Sequence, residues 1–113
     1  MAFSVRVTGY APAGEQIFDL EPPWWDQAEL RQDPRMRSSV SDGYLDYDAE
    51  LSAQEARDLH EHFRPRATRG AFADGDWQEL LQPMLRQLDA HLGREPEHLS
   101  HCLIHVFEWE SGL

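Results

Sequence analysis

Acidic side chains spaced two residues apart are the first feature of this sequence with chemical potential. Asp46 and Asp48 alternate with apolar residues in one stretch, and Glu108 and Glu110 do so in another. Residues two apart lie on one face of a β-strand, so each pair is expected to share a face. If the two strands are neighbours, the four carboxylates form one patch. Such a patch suits a divalent cation, an acid–base pair, or the Arg and Lys side chains of a partner.

Histidines do not extend this patch into a recognisable metal site. His60 and His62 are two apart on a predicted helix and therefore point in different directions. His101 and His105 share one side of a predicted strand but lie about 13 Å apart along it, too far to bind one metal together. No arrangement of nucleophile and base and no Gly-rich phosphate loop is visible. We therefore predict no metal, cofactor or catalytic residue. The alternative is a small metal-dependent hydrolase that uses these carboxylates with a nearby His.

The charge of the chain favours a basic protein partner. The 113 residues carry 21 acidic side chains against 10 Arg and no Lys, a net charge of −11. Binding of nucleic acid phosphates needs a concentrated positive surface, so we predict no direct nucleic acid ligand. A negative protein attracts a basic partner over long range, and aromatic side chains typically anchor such contacts. The predicted partner-binding residues are Tyr44, Asp46, Asp48, Glu50, Glu108, Glu110 and Trp25.

Period-two patterns predict the strands. The stretch 101–109 has two largely apolar sides, which is typical of a core strand that is central in its sheet or covered on both sides. Residues 3–7 alternate as a half-buried strand, and residues 15–20 return as its hairpin partner. Residues 44–51 form another strand after a turn at Asp42-Gly43. The polar stretch 35–41 is predicted to be a loop.

Helical signals predict two main helices. The first is Ser52–Arg64, in which Ser52 and Glu55 have capping-box spacing. The second is Asp76–Leu92, whose apolar residues recur at helical spacing and include Trp77, Leu80 and Leu81, and Pro83 either kinks it or marks its start. A short helix follows Pro22-Pro23, and only one of Trp24 and Trp25 is expected to face inward. The prediction is a single α+β domain over residues 1–113, with about four mainly antiparallel strands and the two main helices packed on one face.

The cysteine content and the hydropathy of the chain indicate its location in the cell. Cys102 has no second cysteine to pair with and is predicted to be a small buried apolar side chain. The first residues lack the basic and apolar blocks of a signal peptide, and no apolar run reaches membrane-spanning length. We expect a cytoplasmic protein that does not contact a membrane.

Three stretches carry a resemblance to a known class of proteins. They are Pro22–Trp25, Asp42–Asp48 and Phe107–Leu113. With these stretches the chain resembles the small acidic immunity proteins of bacterial toxin systems, including systems with contact-dependent or type VI secreted effectors. The resemblance implies a compact α+β protein that binds and blocks one cognate toxin without being an enzyme.

The resemblance transfers no functional residue, so the predicted contact residues come from the charge argument alone. If the toxin is a nuclease, an acidic inhibitor imitates the nucleic acid backbone in its basic cleft. A third hypothesis is a self-associating adaptor, with a homodimer formed through the last strand or the Trp pair.

Overall fold

The computed structural model describes residues 2–68, 74–93 and 98–109. Five strands form one antiparallel sheet in the order β2-β1-β5-β4-β3. The strands are β1 (Ala2–Tyr10), β2 (Gln16–Leu20), β3 (Arg37–Ser41), β4 (Tyr44–Ser52) and β5 (His101–Trp109). The helices are α1 (Gln27–Arg31), α2 (Ala53–Phe63), α3 (Asp74–Asp76) and α4 (Gln82–Leu92). The predicted α+β class is confirmed, with five strands instead of about four.

β5 lies at the centre of the sheet, between β1 and β4. Cys102, Ile104 and Val106 are almost completely buried on the side that faces the helices. The prediction of a central core strand is therefore confirmed. The opposite side of β5 is not covered by a helix of the described chain, and Leu103 there is 40% exposed. We call the covered side of the sheet the helix face and the other side the open face.

The hairpin of β3 and β4 turns at Asp42 and Gly43. Both residues have positive φ, 53° and 81°, as a two-residue type I′ turn requires. The predicted turn and the predicted strand after it are confirmed. The predicted loop at residues 35–41 is wrong, because Arg37–Ser41 forms an edge strand. All five of its residues are exposed, so no apolar alternation marks it in the sequence.

α2 begins with the predicted capping box. Ser52 Oγ accepts a hydrogen bond from Glu55 N at 3.1 Å, and Ser52 N donates to Glu55 Oε1 at 3.0 Å. A buried His60, which sequence reasoning had not placed in the core, ties this helix to α4. Its Nε2 lies 2.7 Å from Asp89 Oδ1, and Arg64 Nε donates to the same carboxylate at 2.8 Å. The two main helices are therefore joined by polar contacts as well as by apolar packing.

The second helix changes its winding before Pro83. Residues Trp77–Leu81 form a π-helical segment between α3 and α4. A proline has no N–H and its ring clashes with the carbonyl four residues earlier, and a wider π turn relieves that clash. The extra residue also shifts the helical phase. Leu81 is buried as predicted, but Leu80 is 61% exposed, so its predicted inward position is wrong.

Both adjacent tryptophans are buried. Trp24 is 3% and Trp25 is 2% exposed, and the Trp25 ring lies 5.6 Å from that of Phe63. The prediction that only one faces inward is wrong, because the pair lies in a turn before α1 and not on the helix itself. Asp26 then caps α1 by accepting a hydrogen bond from Ala28 N at 2.8 Å.

Candidate functional site

The open face is the candidate functional site, and the strand register places its residues. Side chains of directly paired residues point to the same face of a sheet. The pairs between β4 and β5 on this face are Asp46 with Phe107, Asp48 with His105, and Glu50 with Leu103. The predicted acidic side of β4 therefore lies beside a row of aromatic, apolar and His side chains. We call Asp46, Asp48 and Glu50 the acidic row.

The acidic row has few internal cationic partners. Asp46 Oδ1 accepts a hydrogen bond from His105 Nε2 at 2.8 Å. Glu50 Oε1 lies 3.9 Å from His101 Nε2, and its side chain is 69% exposed. Within residues 2–68, 74–93 and 98–109, no Arg forms an ion pair with any of the three carboxylates. Arg37 of β3 is nevertheless the direct cross-strand neighbour of Asp48 on this face, so it offsets part of the negative charge without forming an ion pair.

Two acids on the helices, Asp89 and Glu29, form Arg ion pairs of a kind that the acidic row lacks. Arg64 donates two hydrogen bonds to Asp89, both 2.8 Å long, and lowers the pKa of that carboxyl. Arg66 donates to Glu29 Oε1 at 2.6 Å, and this hydrogen bond is the main reason that the Glu29 pKa is lowered. Salt bridges of this kind neutralise charge locally. The acidic row lacks such Arg ion pairs and holds three carboxylates on one face of one strand.

On the half of the open face formed by β1 and β2, the charged side chains pair with each other. Arg6 of β1 donates a hydrogen bond from Nε to Asp19 Oδ1 of β2 at 2.6 Å. This hydrogen bond is the main cause of the lowered Asp19 pKa. Thr8 Oγ1 donates to the same carboxylate at 3.4 Å. The β1–β2 half of the face is thus close to neutral, and the β4 half is acidic.

Exposed apolar side chains of β5 lie beside the acidic row. Leu103 is 40% and Trp109 is 41% exposed, and Phe107 between them is partly buried. Trp109 Nε1 donates a hydrogen bond to Ser4 Oγ at 2.8 Å, which holds the indole against β1. This combination of an ordered aromatic side chain and adjacent charge is typical of protein-binding surfaces.

Trp109, and not Trp25, is the exposed tryptophan of the described chain. The predicted role of Trp25 as a surface anchor is wrong, because its indole is buried in the core. The alternation of residues 101–109 already placed Trp109 on the side of β5 opposite to Cys102. What the sequence did not show was that this side of the strand lacks a covering helix.

The predicted patch of four carboxylates does not form as proposed. β4 and β5 are neighbours, but Glu108 pairs with Phe3 and so belongs to the helix face. Its Oε2 accepts a hydrogen bond from Leu45 N at 2.9 Å. Glu108 therefore extends the hydrogen bonding between the two strands instead of joining the acidic row. Glu110 lies outside the described residues, and Tyr44 lies on the open face next to the β3–β4 turn.

No group of three His, Cys, Asp or Glu residues within the described ranges has a geometry that could hold a metal ion. Burial raises the pKa of the Cys102 thiol to about 12, and this side chain is a packed core residue as predicted. In the described part of the chain, no helix is both long and apolar enough to cross a membrane.

Comparison with known protein families, curated proteins and solved structures finds no significant match to this chain.

Proposed function

We propose that this protein is a non-enzymatic immunity protein that binds a cognate bacterial toxin through the open face of its sheet. The observation that carries the proposal is the acidic row, whose three carboxylates form no ion pair with an Arg of the described chain. The sequence resemblance to acidic immunity proteins supports the same proposal. A binding surface of this kind needs a toxin with a basic contact region.

Charge and apolar contact have different tasks in this proposal. The net charge of −11 accelerates encounter with a basic protein, and the acidic row orients it. Leu103 and Trp109 lose solvent contact in the complex and provide the short-range part of the affinity. A nuclease is the toxin class that fits most directly, because its cleft must be basic to bind phosphates. The protein then neutralises the toxin by occupying that cleft.

The test is growth protection in cells that co-express this protein with a candidate toxin chosen from its gene neighbourhood. Asp48→Lys/Glu50→Lys reverses two exposed charges of the acidic row without touching the Asp46–His105 hydrogen bond. Asp76→Lys/Glu79→Lys makes the same charge change at exposed positions of the second helix, on the other side of the sheet. We expect the first variant to lose protection and to bind at least tenfold more weakly, and the second to protect normally.

Two results would contradict the proposal. Equal loss of protection in both variants would mean that only net charge matters and that the open face has no special role. Full protection by Asp48→Lys/Glu50→Lys, with unchanged affinity in calorimetry, would place the toxin contact elsewhere. Circular dichroism of both variants checks that the fold is retained.

A further inference from the structure

The outer edge of β3 presents backbone groups that no strand of the described chain pairs with. β3 is the last strand of the sheet, and its five residues are all exposed. Its side chains give little of the protection that edge strands usually carry. Arg37 is its only charged residue, and it contains no proline.

The turn geometry identifies which backbone groups point outward. In a two-residue type I′ hairpin the residues on either side of the turn form a hydrogen-bonded pair, here Ser41 with Tyr44. Hydrogen-bonded pairs alternate along an antiparallel ladder. The N–H and C=O of Ser39 therefore point toward β4, and those of Ser38 and Val40 point away from the sheet.

A second observation agrees with this assignment. Leu45 is the partner of Val40, and its N–H donates to Glu108 Oε2 of β5. Leu45 thus directs its backbone away from β3, as expected for a pair that is not hydrogen-bonded. Val40 is also the most exposed large apolar residue of the described chain, at 68%. An added strand would pair with the outward groups and cover this side chain.

The side chains of β3 also leave space for a basic residue. Ser39 lies between the outer edge and Asp46, its direct partner on the open face. A strand added to β3 would lie about 10 Å from β4, which is two strand spacings. Because serine is small, an Arg of the added strand can extend across Ser39 toward the Asp46 carboxylate. The edge is therefore continuous with the acidic row.

We infer that β3 accepts an extended, basic segment of the partner protein as a sixth strand of the sheet. Strand addition supplies main-chain hydrogen bonds through Ser38 and Val40, and alternate side chains provide specificity. A basic residue of the segment faces Asp46 across Ser39, and its apolar neighbours contact Val40, whereas Arg37 separates the segment from Asp48. This inference rests on the proposed function for the identity of the partner, but the edge is a separate surface with its own test.

The test uses a synthetic peptide, so that it does not depend on a toxin. The probe is acetyl-Arg-Val-Arg-Val-Arg-Val-amide, which alternates basic and apolar side chains. Its isomer acetyl-Arg-Arg-Arg-Val-Val-Val-amide has the same charge and composition in block order. NMR titration of the labelled protein should show saturable binding of the alternating peptide, with slowed amide exchange at Ser38 and Val40. The isomer should bind at least fivefold more weakly.

Variants of β3 separate main-chain pairing from charge. Ser38→Pro removes one outward N–H but no hydrogen bond to β4, and edge strands tolerate such a proline. We expect it to weaken binding at least tenfold, whereas Ser38→Thr keeps the N–H and binds like the wild type. Ser39→Lys leaves every backbone group in place and puts a cation between the peptide and Asp46. Ser39→Lys should also weaken peptide binding at least tenfold. This second variant keeps the test valid if Ser38→Pro does not fold.

The outcomes distinguish this inference from the proposed function. The absence of saturable binding at millimolar peptide, or equal binding of the two isomers, overturns strand addition. Binding that Ser38→Pro and Ser39→Lys leave unchanged overturns it as well. Growth protection can still depend on the acidic row in each of these cases, and peptide binding can occur without any protection.

Discussion

Trp25 and Trp109 lie in opposite environments. Trp25 packs against Phe63 inside the core, whereas Trp109 lies on the open face with its indole hydrogen-bonded to Ser4. Truncation of a buried aromatic side chain leaves a cavity and costs about 3–5 kcal/mol, so Trp25→Ala should lower the free energy of unfolding by that amount. Trp109→Ala should cost less, because this residue is already 41% exposed in the folded protein and its hydrogen bond to Ser4 lies at the surface.

Urea denaturation of the two variants measures this difference, and the toxin assay provides the complementary readout. Trp109→Ala should reduce affinity for the toxin with a smaller loss of stability than Trp25→Ala. Similar losses of stability in the two variants would mean that Trp109 is part of the core. The exposure of the two indoles could not be predicted from the sequence, because both lie in apolar stretches and only the placement of the helices separates them.

Among the elements, α2 and α4 pack through apolar side chains, and the polar part of their contact depends on one carboxylate. Asp89 binds Arg64 and the buried His60, and Arg64 is the main cause of its lowered pKa. A carboxyl with a lowered folded pKa stabilises the protein above its unfolded pKa, and this stabilisation is lost as the pH falls through the folded value. Asp89→Asn should therefore cost roughly 1–3 kcal/mol at pH 7.

The difference in the free energy of unfolding between the wild type and Asp89→Asn should become smaller below pH 3.8, which is the ordinary pKa of aspartate. Chemical denaturation at pH 7 and at pH 3 measures it. Asp58→Asn is the matched control, because Asp58 lies on the exposed side of α2 and bonds only to Gln54 among the described residues. Its effect should stay within about 0.5 kcal/mol at both pH values. A difference for Asp89→Asn that is the same at both pH values would contradict the role of its charge.

Local signals predicted those elements whose pattern reflects burial. The alternation of β4 and β5 and the capping box of α2 gave strands and a helix start that the structure confirms. β3 was missed because an edge strand with both faces exposed needs no apolar residue, and its hairpin turn fixes it instead. Leu80 was misplaced because the π-helical segment changes the period on which the helical pattern was counted. The predicted patch wrongly included Glu108 because alternation within one strand does not say which of its sides is shared with the acidic side of β4.

At the scale of the whole molecule, the net charge of −11 has two opposite consequences. Like charges repel within the compact protein, so its own negative charge destabilises the folded state at low ionic strength. The same charge accelerates association with a basic toxin, and both effects act over distances that salt screens. Salt should therefore stabilise the isolated protein and at the same time weaken its complex.

The stability of the isolated protein and its rate of association with the toxin should respond in opposite directions when NaCl is raised from about 0.05 to about 0.5 M. Over this range the Debye length falls from above 10 Å to about 4 Å. Thermal unfolding of the isolated protein should shift to higher temperature, and stopped-flow association with the toxin should slow at least tenfold. In Asp48→Lys/Glu50→Lys both responses should be smaller, because two charges of the acidic row are reversed. In Asp76→Lys/Glu79→Lys the thermal response should fall equally, but the association rate should keep most of its salt dependence. Equal salt dependence of association in the two variants would mean that encounter follows net charge and not the open face.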